Sequence, residues 1–346
     1  MRDVVIIGGG PAGLGAAIAA ADAGLDTLVI ARRVGSVDKA CGEGLMPAAV
    51  ENLSALGVAP SRFHRFRGVR YIHGKHSADG HFRRGPGLGV RRTVLQDALN
   101  RRARELGVEI RQQTVRDIAQ TSQSVTITGE TARFALVADG LQSPIRRRLG
   151  LSAPSRRRAR LGLRRHFAVA PWSDFVEVHW SDQAEAYVTP IAADLVGVAV
   201  LFYRDAFPAE ADIYCRILSL FPALRDRLPC RPCSARLGAG PFEQRVLMPM
   251  NGRILLIGDA AGYLDPLTGE GIRLGLDSAR AAVACITQGR PETYPQTLRR
   301  VSRRYWSTTG GLLWLRDRPV LRDHMVPVLW RMPWLFDMML SRLAEA

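Results

Sequence analysis

The sequence predicts an α/β chain: a Rossmann-like β-α-β domain interrupted by a mostly antiparallel β-sheet and followed by C-terminal helices. Three observations predict it. The β-branched run Val4 to Ile7 leads straight into Gly8-Gly9-Gly10-Pro11-Ala12-Gly13 and then into an Ala-rich helical stretch. A second strand-like run, Thr27 to Ile30, completes the β-α-β spacing. Far along the chain, Arg253 to Ile257 repeats the buried-strand pattern and ends in Gly258-Asp259, while residues 160 to 202 carry short strand patterns with turns between them.

Taken in order, Pro11 to Ala23 reads as the first helix, closed by Gly24 as a C′ glycine. Residues 32 to 46 read as a long loop and Pro47 to Leu56 as a short helix. Val69 to Ile72 and His81 to Arg83 are strand-like, with His73, His76 and His81 on a polar strand edge. Val94, Leu95, Ala98, Leu99, Ala103 and Leu106 recur at helical spacing, predicting a helix over Thr93 to Leu106 that Gly107 ends. Val125 to Thr128, Phe134 to Ala138, Phe175 to Trp180, Glu185 to Thr189 and Leu195 to Phe202 read as strands. Arg273 to Ile286 reads as a helix, and Pro319, Pro327 and Pro333 divide the C-terminal region into short helices. The expected organisation is a discontinuous cofactor domain (1–66, 85–155 and 245–290), a substrate domain (67–84 and 156–244) and a helical region (291–346).

The glycines carry the first chemistry. Gly8 permits a tight turn, Gly10 lets the backbone approach a pyrophosphate, and Gly13 lets the helix pack close to the strand. The helix N-terminus offers free N–H groups and a positive dipole end to phosphate. The acidic residue that usually ends the second strand and holds the ribose is absent: Ala31 stands there, followed by Arg32 and Arg33. This weakens a plain NAD reading. Arg32 lies against an adenine or phosphate, or both arginines are simply solvated. The distal block points to a flavin. Gly258 lets a flavin tail pass, and the Asp259 carboxylate can accept ribityl hydroxyls. The turn Asp265-Pro266-Leu267-Thr268-Gly269-Glu270-Gly271-Ile272 opens a helix whose dipole favours the negative charge of a reduced flavin.

The blocks Gly8 to Gly13, Asp139-Gly140 and Gly258-Asp259 resemble the FAD-dependent hydroxylase superfamily, whose fold is that of p-hydroxybenzoate hydroxylase. Lys39-Ala40-Cys41-Gly42-Glu43-Gly44-Leu45 and Asp265 to Gly271 look most like its geranylgeranyl reductase branch. The resemblance spans roughly residues 1 to 290 and implies a Rossmann-like FAD-binding domain interrupted by a substrate domain. The candidate FAD contacts are Gly8, Gly10, Pro11, Ala12, Gly13, Arg32, Arg33, Gly42, Gly258, Asp259, Pro266, Gly269, Gly271 and Ile272. The resemblance implies a helix-start contact from Arg92 and a backbone contact to adenine at Val115. Asp139 and Gly140, with Ser143 and Arg146 after them, match the middle motif linked to FAD and NAD(P)H. Cys41 is a candidate proton donor near the ring or a small packed residue. Glu270 orients flavin or substrate, or merely favours the helix N-terminus.

Composition narrows the field. Of 48 basic residues 46 are arginine, only Lys39 and Lys75 being lysine, and the net charge is +16. No zinc module or aromatic-interleaved basic motif accompanies that charge, so no nucleic-acid partner is expected. A solvated basic surface, or attraction to anionic substrates, carriers or lipid headgroups, accounts for it. Five cysteines without a secretory context argue against disulfides, and Cys230-Arg231-Pro232-Cys233 without a second pair argues against zinc. No metal site is expected. The uncharged run Val4 to Ala21 mimics a signal peptide, but the glycine break and the β-α-β unit account for it, and the expectation is a cytoplasmic protein. The C-terminal region mixes Trp306, Trp314, Trp330 and Trp334 with Leu, Met, Val and Arg. Such helices can rest on a membrane interface or cap the core.

The leading expectation is an NAD(P)H-dependent FAD monooxygenase hydroxylating or epoxidising a small apolar or aromatic substrate. The alternative is an FAD-dependent reductase of isoprenoid or lipid C=C bonds, with a non-enzymatic flavin-binding or membrane-associated scaffold behind both. A flavin halogenase is disfavoured: its Trp-x-Trp-x-Ile-Pro element is absent, and only two lysines are available to handle hypohalous acid.

Overall fold

The computed structural model describes residues 1–208 and 212–344. Its first sheet has five parallel strands in the order Glu109–Gln112, Thr27–Ala31, Arg2–Ile7, Glu130–Val137 and Ile254–Leu256. Met250–Asn251 adds an antiparallel edge, and the hairpin Ile118–Gln120/Val125–Ile127 pairs back onto Glu130–Val137. Four successive residues of the first strand, Val4 to Ile7, are buried, because both faces of this sheet are covered. Val4 and Ile6 pack under the helices Pro11–Asp22, Arg92–Glu105 and Gly271–Thr287. Val5 and Ile7 pack on the opposite face with Leu28, Ile30, Val125 and Ile145.

The second sheet runs Leu237–Ala239, Arg160–Phe167, Leu195–Tyr203, Ala184–Ala192, Phe175–Trp180, Gly68–His73, His76–His81. Every pair is antiparallel except Phe175–Trp180 with Gly68–His73. One face packs on the helices Ile213–Leu218 and Pro222–Arg225 through Val198, Val200 and Phe202. The other, carrying Tyr71, Val176, Val178 and Trp180, looks onto Tyr263, Leu264 and Leu267 and is roofed by the C-terminal helices. The fold is therefore α/β, a Rossmann-like domain joined to a mostly antiparallel sheet.

Two local expectations are corrected. The hairpin's second strand is His76–His81, not His81 to Arg83. Its sequence, HSADGH, holds no β-branched or aromatic residue, because its inward positions are Ala78 and Gly80 and the space above them is filled from elsewhere. A Cβ on Gly80 would stand 2.5 Å from Leu340 Cδ1 and 2.9 Å from Phe336 Cγ. The His81 N–H also donates to Asp337 at 2.8 Å. The C-terminal region forms three helices, Tyr294–Arg316, Pro319–Arg331 and Pro333–Ala344. Pro327 lies inside the second rather than ending it. The lost N–H bond there is offset by burial of Met325, Val326 and Leu329.

Candidate functional site

The cleft begins where the strands Arg2–Ile7 and Glu130–Val137 end side by side. Gly8 has φ +117°, and a Cβ there would stand 2.2 Å from the Ala138 carbonyl oxygen. A Cβ on Gly13 would stand 1.8 Å from the Gly8 oxygen, so helix and turn touch backbone to backbone. Pro11 opens the helix without an N–H, Gly10 has no side chain to cap it, and no acidic residue lies in its first turn. The space over Gly10 is open: the atom nearest to its would-be Cβ is Arg92 Nη2, at 3.9 Å.

Arg92 is buried at the start of its helix, its backbone N–H donating to Glu43 Oε1 at 2.8 Å. Its Nη1 is buried with no hydrogen-bond partner. Burial pulls this guanidinium below its ordinary value, against Cys41, Asp259 and Glu43. A buried, orphaned donor beside an uncapped helix N-terminus is what a pyrophosphate would satisfy. Lys39 belongs to the same cleft: solvent reaches it, yet crowding by protein and the neighbouring Arg92 lower its pKa, opposed by Asp259 and Asp139. Arg32 also acts on Lys39. Arg33 is exposed and makes no ion pair among the described residues. Val115 lies half-buried just past the strand whose end is tied to Ala31 by the Gln113 N–H, at the same rim.

Gly258 closes the gap between the two ends of the chain. It has φ +59°, and its would-be Cβ stands 2.7 Å from Ala12 Cβ; that of Gly275 stands 3.3 Å from the same atom. Residues 10 and 259 are therefore close enough for one elongated cofactor to bridge. Burial raises the Asp259 carboxyl, against Lys39, Arg92 and Arg146, and among the described residues none donates a hydrogen bond to it. It remains available to ligand hydroxyls. Asp139 uses Oδ2 to accept the Ile145 N–H at 3.2 Å, while Oδ1 is buried without a partner and burial raises its pKa. Arg146 ties this middle motif to the distal one. Its guanidinium donates to the carbonyls of Leu141, Asp259 and Ala260, to Ser152 Oγ and to Gln244 Oε1.

At the far end of the cleft Asp265 Oδ1 accepts the Leu267 N–H, the turn Pro266–Thr268 follows, and Gly269 turns at φ +71°. A Cβ on Gly269 would meet Met46 Cε at 2.8 Å, and one on Gly271 the Tyr263 hydroxyl at 3.2 Å. Glu270 does not cap the helix that it precedes. Its Oε1 takes Arg273 Nη2 at 2.5 Å, its Oε2 is buried without a partner, and burial raises its pKa. The N–H groups of Gly271 and Ile272, with no acidic residue in that first turn, stay free for a flavin edge.

Cys41 and Gly42 lie between cofactor cleft and antiparallel sheet. Thr189 Oγ1 donates to the Gly42 carbonyl at 2.8 Å, and Cys41 Sγ accepts the Glu43 N–H at 3.4 Å. Burial pushes the thiol above its ordinary 9.0, despite Arg92. The residue that sequence reasoning left without a role is Glu43. It is buried at φ +59° and holds Arg92 through one oxygen and His166 Nε2 through the other, at 2.5 Å. His166 Nδ1 faces the guanidinium donors Arg164 Nη1 at 2.9 Å and Arg91 Nη1 at 3.2 Å. It therefore accepts there, and Nε2–H donates to Glu43. No spacing could have found this pair, 123 residues apart; for Lys39 the signals were the scarcity of lysine and its place at the head of the Lys39 to Leu45 block.

Residues 1–288 match the model of the FAD binding domain family. The chain is 31% identical over 316 residues to a menaquinone reductase of Mycobacterium tuberculosis, covering 82% of this chain and 76% of that one. It is 28% identical over 309 residues to a digeranylgeranylglycerophospholipid reductase of Methanopyrus kandleri, covering 81% and 75%. In fold it is similar to a flavoprotein/dehydrogenase from Cytophaga hutchinsonii, with a TM-score of 0.86, 19% identity, and coverage of 99% and 92%. The groove gathers unpaired polar groups and open glycines from distant parts of the chain, and the protein belongs to the FAD binding domain family of FAD-dependent oxidoreductases.

Proposed function

We propose that the chain is an FAD-dependent reductase that saturates C=C bonds in an isoprenoid or other lipid chain, with NAD(P)H as the electron source. The observation that carries this reading is the position of Cys41, in a loop that contacts the cofactor cleft on one side and the antiparallel sheet on the other. Reducing a C=C bond places a hydride on one carbon and a proton on the other. Bound FAD, once reduced, would supply the hydride; the chain must supply the proton. A thiol that burial keeps protonated through neutral pH holds one. Arg92 and Lys39 would hold the pyrophosphate, Asp259 the ribityl hydroxyls, and the N-terminus of Gly271–Thr287 the ring edge. Tyr71, Val176, Val178 and Trp180 belong to the apolar, aromatic core that the sheet shares with Tyr263, Leu264 and Leu267. The names of the two relatives, a menaquinone reductase and a digeranylgeranylglycerophospholipid reductase, support a reduction with a lipid substrate. The place of the thiol is what favours reduction over oxygen insertion in this reading.

The test is an anaerobic assay with NAD(P)H and polyprenyl quinone or geranylgeranyl lipid substrates, read by product mass. The expected product gains two hydrogens per bond reduced. Cys41→Ala lowers its rate at least about tenfold while NAD(P)H still bleaches the flavin. Consumption of O₂ with a product carrying one added oxygen would establish the monooxygenase reading instead.

A further inference from the structure

The C-terminal helices have two faces, and only one is used by the fold. On Pro319–Arg331, Met325, Val326 and Leu329 point into the core above the antiparallel sheet. Val320 falls on the opposite side of the helical wheel and Leu321 and Val328 on one flank, and all three are exposed, Val320 at 70%. Indoles stand at both ends of this helix: Trp314 is 50% exposed before it, Trp330 and Trp334 are 55% and 58% exposed at and after its end. Thirteen residues at 1.5 Å each make the helix about 20 Å long, so the apolar strip is bracketed by aromatics over that span. Solvent-exposed apolar side chains concentrated this way mark a contact surface rather than ordinary scatter.

The charge around the strip says what covers it. Residues 294–344 contain nine arginines, three aspartates and no lysine or glutamate, and Arg318, Arg331 and Arg342 are exposed. Arg318 stacks over the Trp314 ring at 3.7 Å, its stem along apolar surface and its charge at the solvent edge. Two such faces, on a chain of net charge +16, repel one another, so a second copy is a poor occupant. An anionic lipid surface attracts them and takes Trp, Val and Leu at the boundary between headgroups and acyl chains. No helix among the described residues is long and apolar enough to cross a membrane.

We propose that the outer face of Pro319–Arg331, with Trp314, Trp330 and Trp334 at its ends, docks in the plane of an anionic phospholipid bilayer. The helix that lies on the lipid is also the roof of the apolar core facing Tyr263, Leu264 and Leu267. The surface stands independently of the reaction proposed above, and its test is read without turnover. FAD-loaded full-length protein is sedimented with vesicles of phosphatidylglycerol and phosphatidylcholine, and separately with phosphatidylcholine alone. Binding to the anionic vesicles is expected to exceed that to neutral ones at least about tenfold and to fall in high salt. The triple variant Trp314→Ser, Trp330→Ser, Trp334→Ser is expected to lose at least about tenfold in partition at unchanged flavin absorbance and thermal midpoint. The proposal is overturned if wild type ignores anionic vesicles or if the triple variant binds them equally. It is also overturned if light scattering shows the three indoles only holding two copies together.

Discussion

Single residues in the cleft divide into those that the backbone needs and those that a ligand needs. Gly10 and Gly13 belong to one motif but to different classes. A Cβ on Gly13 would collide with the Gly8 oxygen at 1.8 Å, whereas Gly10 has φ −82° and a would-be Cβ with nothing closer than Arg92 Nη2 at 3.9 Å. Gly13→Ala is therefore expected to destabilise the protein by about 3 kcal/mol or more, with or without FAD. Gly10→Ala is expected to leave the melting temperature of the FAD-free protein unchanged while weakening FAD binding at least about tenfold. Thermal melts of the FAD-free proteins and flavin titration check both; a melting loss in Gly10→Ala matching that of Gly13→Ala would refute the division. The motif was legible because each glycine answers a demand made within a few residues. Glu43 was not: its partners Arg92 and His166 come from a helix and from a sheet formed much later in the chain.

At the scale of elements, the C-terminal helices are fastened to the antiparallel sheet by buried charge. Glu185, on Ala184–Ala192, takes Arg160 Nη2 at 2.9 Å and Arg316 Nε, and Arg160 Nε reaches Asp265 at 2.8 Å. Sheet, flavin loop and helix Tyr294–Arg316 meet in this one cluster. Burial pushes the Glu185 carboxyl up, but Arg160 and Arg316 more than offset it, holding it below its ordinary 4.5. A carboxyl lowered on folding contributes stability above pH 4.5 that is lost as pH falls through its folded value. Glu185→Gln leaves both guanidinium groups buried without their counter-charge and is expected to cost about 3 kcal/mol at pH 7. In urea melts, the gap between wild type and variant should narrow as pH drops below 4.5; a gap independent of pH would exclude the ion pair as its source. The strand His76–His81 teaches the same lesson for packing. Its residues look like loop because Phe336 and Leu340, more than 250 positions later, supply the bulk that a strand normally carries itself.

For the whole molecule, the cofactor site acts as a clasp. Gly8 to Gly13, Asp139 and Gly258-Asp259 follow the ends of three strands of one sheet, Arg92 opens a helix packed on it, and Arg146 is the main protein link between two of these blocks. A ligand touching all of them stabilises the native state as a unit. FAD at a hundred times its Kd is expected to add about 2.7 kcal/mol, roughly 4 °C for a chain of this size. Scanning fluorimetry across an FAD titration checks this; a melting temperature that ignores FAD would mean that the segments do not share one ligand.

The sequence by itself determined the α/β class, the β-α-β unit, the three cofactor blocks and the glycines within them. Those features express backbone sterics and hydrophobic periodicity, which act over a few residues and leave a local trace. Only the tertiary structure decided that Glu43 holds His166 and Arg92, that Lys39 enters the cleft, and that Glu185 receives Arg316 from 131 positions away. It also decided which side of the C-terminal helices is core and which is left to solvent. Charge pairing and side-chain packing depend on distance in space, and the spacing of residues along the chain does not encode that distance.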